Sequence, residues 1–93
     1  MITDFASGET ERIFRGERSR KLTPDIQNTA RRKLEYLHRA RMLRDLLAPP
    51  GNRLEGLKGD RAGQHSIRIN DQWRICFFWR EGIAERVEIV DYH

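Results

Sequence analysis

Apolar positions along the chain change their period once, and the change separates a helical half from a strand half. From Ser7 the spacing is helical. Ser7 is placed to cap, Glu9 and Glu11 fall in the electropositive first turn, and Ile13 and Phe14 supply an apolar side. Gly16 ends that short helix. Thr23-Pro24-Asp25 is a stronger start: a capping hydroxyl, proline at the first helical position and an acid in the first turn. Ile26, Ala30, Leu34, Leu37, Ala40, Met42, Leu43 and Leu47 then recur at three- and four-residue steps, with one irregular step near the end. They predict an apolar stripe on a helix running to about Leu46. Ala48-Pro49-Pro50-Gly51 stops it, because proline cannot continue the hydrogen-bond ladder.

Beyond Gly51 the period falls to two. His65-Ser66-Ile67-Arg68-Ile69 alternates, and Trp73-Arg74-Ile75-Cys76-Phe77-Phe78-Trp79 is rich in aromatic strand formers. Asn70-Asp71-Gln72 and Glu81-Gly82 read as turns, and residues 84–90 as the last strand, with Val87 and Ile89 on one face. Residues 1–5 alternate weakly and are expected at a sheet edge. The pattern predicts an α+β fold: two N-terminal helices packed on one face of a small, mainly antiparallel sheet of three or four strands.

Ninety-three residues suffice for a single domain spanning 1–93, with a thin core. No run of about 18 apolar residues occurs, so no membrane-spanning helix is expected. The N-terminal residues place an acid, Asp4, where a signal peptide needs basic residues. Cys76 is the single cysteine and can form no internal disulfide. A cytoplasmic protein is the expectation. The formal charge is +4, with 15 of the 18 cations arginine, whose planar fork suits phosphate and carboxylate. The entire excess precedes Leu47. Arg31, Arg32, Lys33, Arg39, Arg41 and Arg44 decorate the long helix, either as a solvated surface or as a binding one.

Alternation decides which charged side chains share a sheet face. Ser66, Arg68 and Asn70 point away from Ile67 and Ile69, and Arg74, Cys76 and Phe78 away from Ile75 and Phe77. Arg68 and Arg74 therefore project from one open face, where two adjacent cations repel unless an anion such as phosphate lies between them. The alternative is pairing with Asp71 or Glu88. Glu55 and Lys58 flank Gly56-Leu57, and Asp91-Tyr92-His93 follows the last strand. His93 could donate a proton near neutral pH and Tyr92 could stack on a base. A carboxylate, two arginines and a histidine form the inventory for cutting RNA: a base for the 2′-hydroxyl, cations for the phosphorane and an acid for the leaving 5′-oxygen. Each also has a plainer reading, an exposed ion pair for Glu55 and Lys58 and a frayed end for His93. His38, His65 and Cys76 read as structural.

The segments Leu57-Lys58-Gly59-Asp60-Arg61 and Asn70-Asp71-Gln72-Trp73-Arg74, within the stretch 50–75, and the ending Asp91-Tyr92-His93 resemble HigB-type toxins of the RelE/ParE superfamily. The likeness spans nearly the whole chain. It implies a RelE-like microbial-ribonuclease fold, with helices on one side of a twisted sheet and the active site on the other. It also implies a growth-arresting toxin that cuts translated mRNA on the 70S ribosome without metal or cofactor. The implied partner is a HigA-like helix-turn-helix antitoxin, with operator DNA bound only by the toxin–antitoxin complex. Carried over by position, Arg68 and Arg74 match phosphate-contacting strand arginines, and His93 the general acid, paired with Tyr92. Asp91 belongs to the same ending. Lys58, with Arg61 beside it, matches the RNA-binding face. In one place the chain departs from the pattern. Where some HigB toxins carry a histidine, it has Glu55, which matches the general-base glutamate of the YoeB branch.

Two other readings share parts of this pattern. A ParE-like gyrase poison has the same fold without a ribonuclease site, and a basic RNA-binding module would bind RNA without cutting it. The ending 91–93 and the pair Arg68 and Arg74 favour the ribonuclease, with Arg31, Arg32 and Arg39 holding ribosomal RNA.

Overall fold

In the computed structural model, which describes residues 1–91, helix α1 (Gly8–Phe14) begins where Ser7 Oγ accepts the Thr10 N–H at 3.3 Å. Gly16, with φ +84°, turns the chain out of it. Helix α2 (Pro24–Arg39) starts at the expected proline, but Thr23 makes no capping bond to the backbone. Its hydroxyl instead serves the Asp25 carboxyl, which it holds below the usual carboxylate range, with further help from main-chain N–H groups.

The long helix ends seven residues before the expected Leu46. Ala40 is extended (ψ 132°), and the Asp45 carboxylate accepts the N–H groups of Arg41 and Met42 at 3.0 and 3.1 Å. These are donors a continuing helix would have used internally, and their capture starts a separate 3-10 turn, Leu43–Leu47. The turn changes which apolar residues reach the core. Leu46 is buried, whereas Met42 and Leu47, both assigned to the stripe, are exposed. Lys33 also departs from expectation: it is buried rather than part of the solvated surface.

The strands follow the alternation. Strands β1 (Glu55–Gly56), β2 (Gln64–Arg68), β3 (Trp73–Arg80) and β4 (Ile83–Asp91) form an antiparallel meander in sequence order. Register pairs Ile67 with Ile75, Ser66 with Cys76 and Arg68 with Arg74. Ile67, Ile69, Ile75, Phe77 and Val87 pack with Ala30, Leu34 and Leu37 to form the core. The helices therefore cover one face and leave the other open.

The N-terminal segment runs parallel to β4 through two isolated bridges, Ile2 to Ala84 and Phe5 to Val87, rather than as a full strand. A bulge interrupts β4 where Arg86 adopts φ +52°, and the Asp4 carboxylate accepts the Arg86 N–H at 3.1 Å. His38 is structural as expected: its Nδ1 accepts the Ile2 N–H at 3.2 Å. His65 stacks on Phe77. Among the described residues, no helix is long and apolar enough to cross a membrane.

Candidate active site on the open face of the sheet

The register sets two rows across the open face. Glu55, Ser66, Cys76 and Glu88 face one another from β1 to β4, and Arg68, Arg74 and Val90 form the next row. Glu55 and the two arginines assigned from sequence are thus brought together.

Arg74 is the most deeply set of these, only 9% exposed. Its Nε donates to Ser66 Oγ at 2.8 Å and its Nη2 to the Arg53 carbonyl at 2.6 Å. Glu55 Oε1 lies 3.6 Å from the same Nη2, at ion-pair distance but beyond hydrogen-bond length. Arg68, on the neighbouring strand, is paired with the exposed Asp71 carboxylate. The two arginines therefore do not face each other uncompensated, and an anion between them is not required by charge balance. For Arg68, the alternative pairing with Asp71 is the one observed. Glu88 pairs instead with Arg61, at 2.9 Å, and Arg61 also donates to Gln64 at 3.2 Å.

Beneath these side chains lies Cys76, fully buried on the floor of the face. Burial pushes its thiol pKa up, with Glu88 and Glu55 acting in the same direction and Arg61 and Arg74 opposing them. The thiol stays protonated and packs as a small apolar group. Lys58 is exposed at the start of the turn Gly59–Arg61, which presents Arg61 to the face.

The Arg53 carbonyl is held by a second buried layer that the sequence did not reveal. Arg53 has a left-handed backbone (φ 44°) after the turn Pro50–Asn52. Asn52 is fully buried: its Oδ1 accepts from Lys33 Nζ, and its Nδ2 donates to the carbonyls of Leu46 and Ala48 at 3.1 and 3.2 Å. Burial, reinforced by the positive charges of Arg32 and Arg68, lowers the Lys33 pKa. A chain of contacts thus runs from α2 through Asn52 and Arg53 to the guanidinium of Arg74. Alternation had placed Ser66 beside Arg68 without giving it a partner. Nothing in the local pattern pairs Lys33 with Asn52, nineteen residues away.

The remaining candidates lie elsewhere. Asp91 stands opposite Trp73, so alternation sets it with the helix-facing side of the sheet, and its Oδ2 accepts from Gln72 at 3.1 Å. Tyr92 and His93 lie outside the described residues. Arg31, Arg32 and Arg39 are exposed on α2, in the layer behind the sheet. Arg39 is near Glu35 at 3.7 Å, and Arg31 packs over Gly16, where a Cβ would approach its guanidinium to 3.2 Å. Chemically, the open face offers a half-exposed carboxylate able to take a proton, beside a fixed guanidinium able to bind phosphate.

Comparison with known proteins identifies the family and the fold. A family model described as the RelE-like toxin of the type II toxin–antitoxin system HigB matches residues 3–93. Toxin HigB-1 of Vibrio cholerae serotype O1 is 40% identical over 85 residues, covering 90% of each chain. Among solved structures, a chain of the YoeB–YefM complex from Staphylococcus aureus superposes with TM-score 0.62 at 18% identity, covering 100% of this chain and 95% of that one. A mutant of YafQ from E. coli gives TM-score 0.61 at 16% identity, covering 98% and 91%. At such identities the two structures speak for the fold alone. Sequence and fold together make the chain a member of the HigB-like family, the RelE-like toxins of type II toxin–antitoxin systems.

Proposed function

We propose that this toxin is a metal-independent endoribonuclease that cuts mRNA on the translating 70S ribosome and so arrests growth in the cytoplasm. The observation that carries the reading is the convergence of Glu55, Arg68 and Arg74 on one sheet face, with the Glu55 carboxylate 3.6 Å from a nearly buried guanidinium. In this scheme Glu55 takes the proton of the 2′-hydroxyl, whose oxygen attacks the adjacent phosphorus. Arg74 and Arg68 stabilise the charge that develops on the phosphorane oxygens. The bond to the 5′-oxygen breaks and His93 supplies its proton, leaving a 2′,3′-cyclic phosphate and a 5′-hydroxyl. Tyr92 completes the C-terminal side of the site, Lys58 and Arg61 line the RNA path, and Arg31, Arg32 and Arg39 hold ribosomal RNA. The antitoxin is a HigA-like helix-turn-helix protein, and only the complex of the two binds operator DNA.

Mapping transcript 5′ ends after induction tests the reading. Codon-linked cuts within translated frames are expected, and Arg74→Lys or removal of His93 should abolish them. Lysine keeps the charge of Arg74 but not its fork. Signs of DNA damage without transcript cuts would point to gyrase, and an intact transcriptome with RNA binding retained would point to a non-catalytic module.

A further inference from the structure

We propose that Phe78 is a stacking platform for a base of the mRNA, carried by a nucleotide that flanks the one being cut. The proposal rests on the cleavage reading above and adds a second point at which the strand is held. Phe77 and Trp79, the chain neighbours of Phe78, face the helices and pack edge to face with ring centroids 6.4 Å apart. Phe78 turns to the open face instead, and its ring is exposed although the residues before it on β3, from Arg74 to Phe77, are buried.

The surroundings of the ring fit a base better than an apolar side chain of another protein. In register, Phe78 lies between Gln64 on β2 and Glu85 on β4. The bulge at Arg86 sets this, because without its extra residue the cation rather than the carboxylate would stand opposite the ring. Gln64 Oε1 accepts from Arg61 at 3.2 Å, so the amide NH2 is the end left for a ligand. Arg61 also donates to Glu88, which stands opposite Cys76, and so links the row of Phe78 to the row that holds Glu55. Gly63 borders the plate: a Cβ there would lie 3.5 Å from Phe78 Cε1, and a side chain would encroach on the ring. The result is an apolar plate with a polar rim. A nucleobase has the same form, with a face to stack and edge atoms to accept from an amide. An apolar side chain covering the ring would strand the Gln64 donor. Nor does the ring belong to a wider apolar patch, since the other large exposed apolar side chains among the described residues, Met1, Met42 and Leu47, lie outside the four strands. Phe78 follows Arg74 by four residues along β3, a separation of about 13 Å that suits a neighbouring nucleotide.

The test is cleavage of mRNA on programmed ribosomes by purified full-length toxin, with messages that carry an abasic nucleotide at each position around the cut in turn. Phe78→Leu keeps an apolar side chain but no π face. It should lower the second-order rate constant for the intact message about tenfold, the scale of one lost base–aromatic stack. Phe78→Trp should cut at least as fast as the parent. At one flanking position the abasic message should slow the parent by a similar factor and cost Phe78→Leu nothing further, because both changes remove the same contact. The thermal midpoint of Phe78→Leu should stay within about 4 °C of the parent, since the ring is exposed.

A Phe78→Leu toxin that cuts like the parent overturns the proposal, and if that toxin also escapes neutralisation by the antitoxin, the ring is a protein contact instead. A loss in Phe78→Leu that adds in full to every abasic substitution overturns it too, because the ring then acts through the fold or the ribosome rather than through a base. Arg74→Lys keeps this proposal apart from the reading beneath it. If Arg74→Lys itself cuts like the parent, the cleavage site is misassigned. If Arg74→Lys is impaired and Phe78→Leu is not, only the stacking role falls.

Discussion

At the scale of single residues, the least legible feature of the chain is the pair Lys33 and Asn52. Lys33 sits in a run of cations, Arg31-Arg32-Lys33, and only the packing of the turn Pro50–Asn52 against α2 shows which of the three turns inward. Asn52 uses both ends of its carboxamide, so its loss leaves a buried ammonium and two carbonyls without partners. Asn52→Ala should destabilise the toxin by about 2–4 kcal/mol, read from the urea midpoint. An unchanged midpoint would mean that water or a shifted loop replaces the amide. The lysine also predicts a pH effect. Its folded pKa is depressed mainly by burial, so the charged form carries a folding penalty that is present at neutral pH. As pH rises through the folded pKa toward the ordinary lysine value, the unfolded chain holds the extra proton and stability increases. Lys33→Met should remove that alkaline rise, and unfolding curves of the two proteins across the alkaline range would show it.

At the scale of elements, alternation read the sheet well and helical spacing read one end of α2 badly. Trp73–Arg80 and its partners are strands because aromatic and β-branched residues repeat at period two. Their faces follow from parity alone, which is why the sequence suffices to set Arg68 and Arg74 on one side of the sheet. The end of α2 depends on a contact that periodicity does not register. Asp45 takes two main-chain donors, and the chain bends at Ala40 although the apolar spacing continues. The Met42 and Arg41 N–H groups hold the Asp45 carboxyl below its ordinary range. Its contribution to stability is therefore complete above the unfolded carboxyl pKa and disappears as pH falls through the folded one. Asp45→Ala should lower the thermal midpoint at neutral pH, and the gap from the parent should close in acid. A gap that persists at low pH would assign the effect to packing rather than to the carboxylate. Strand β1, at two residues, is too short for any periodic signal, yet it carries Glu55 to the open face.

At the scale of the whole molecule, charge and chemistry occupy different sides. The body measures 31 × 26 × 24 Å, with the helix layer behind the sheet and the candidate site in front. The net excess of +4 lies entirely before Leu47, while the half that builds the open face is balanced residue for residue. Net charge therefore says little about the open face, where register rather than charge balance brings the candidates Glu55, Arg68 and Arg74 together. It says more about where a large polyanion would be gripped. Reversing Arg31, Arg32 and Arg39 to glutamate should weaken co-sedimentation with ribosomes and flatten its dependence on salt. Losing three phosphate contacts removes about two to three units of slope in log affinity against log salt. Glu35 would then lie beside a like charge at position 39, a cost of about 0.5 kcal/mol that a thermal midpoint can check. Arg74→Lys supplies the complementary variant, expected to sediment like the parent and fail to cut. If the triple reversal binds ribosomes unchanged, the helix layer is not the grip, and the excess charge is left for the antitoxin or for operator DNA in the complex.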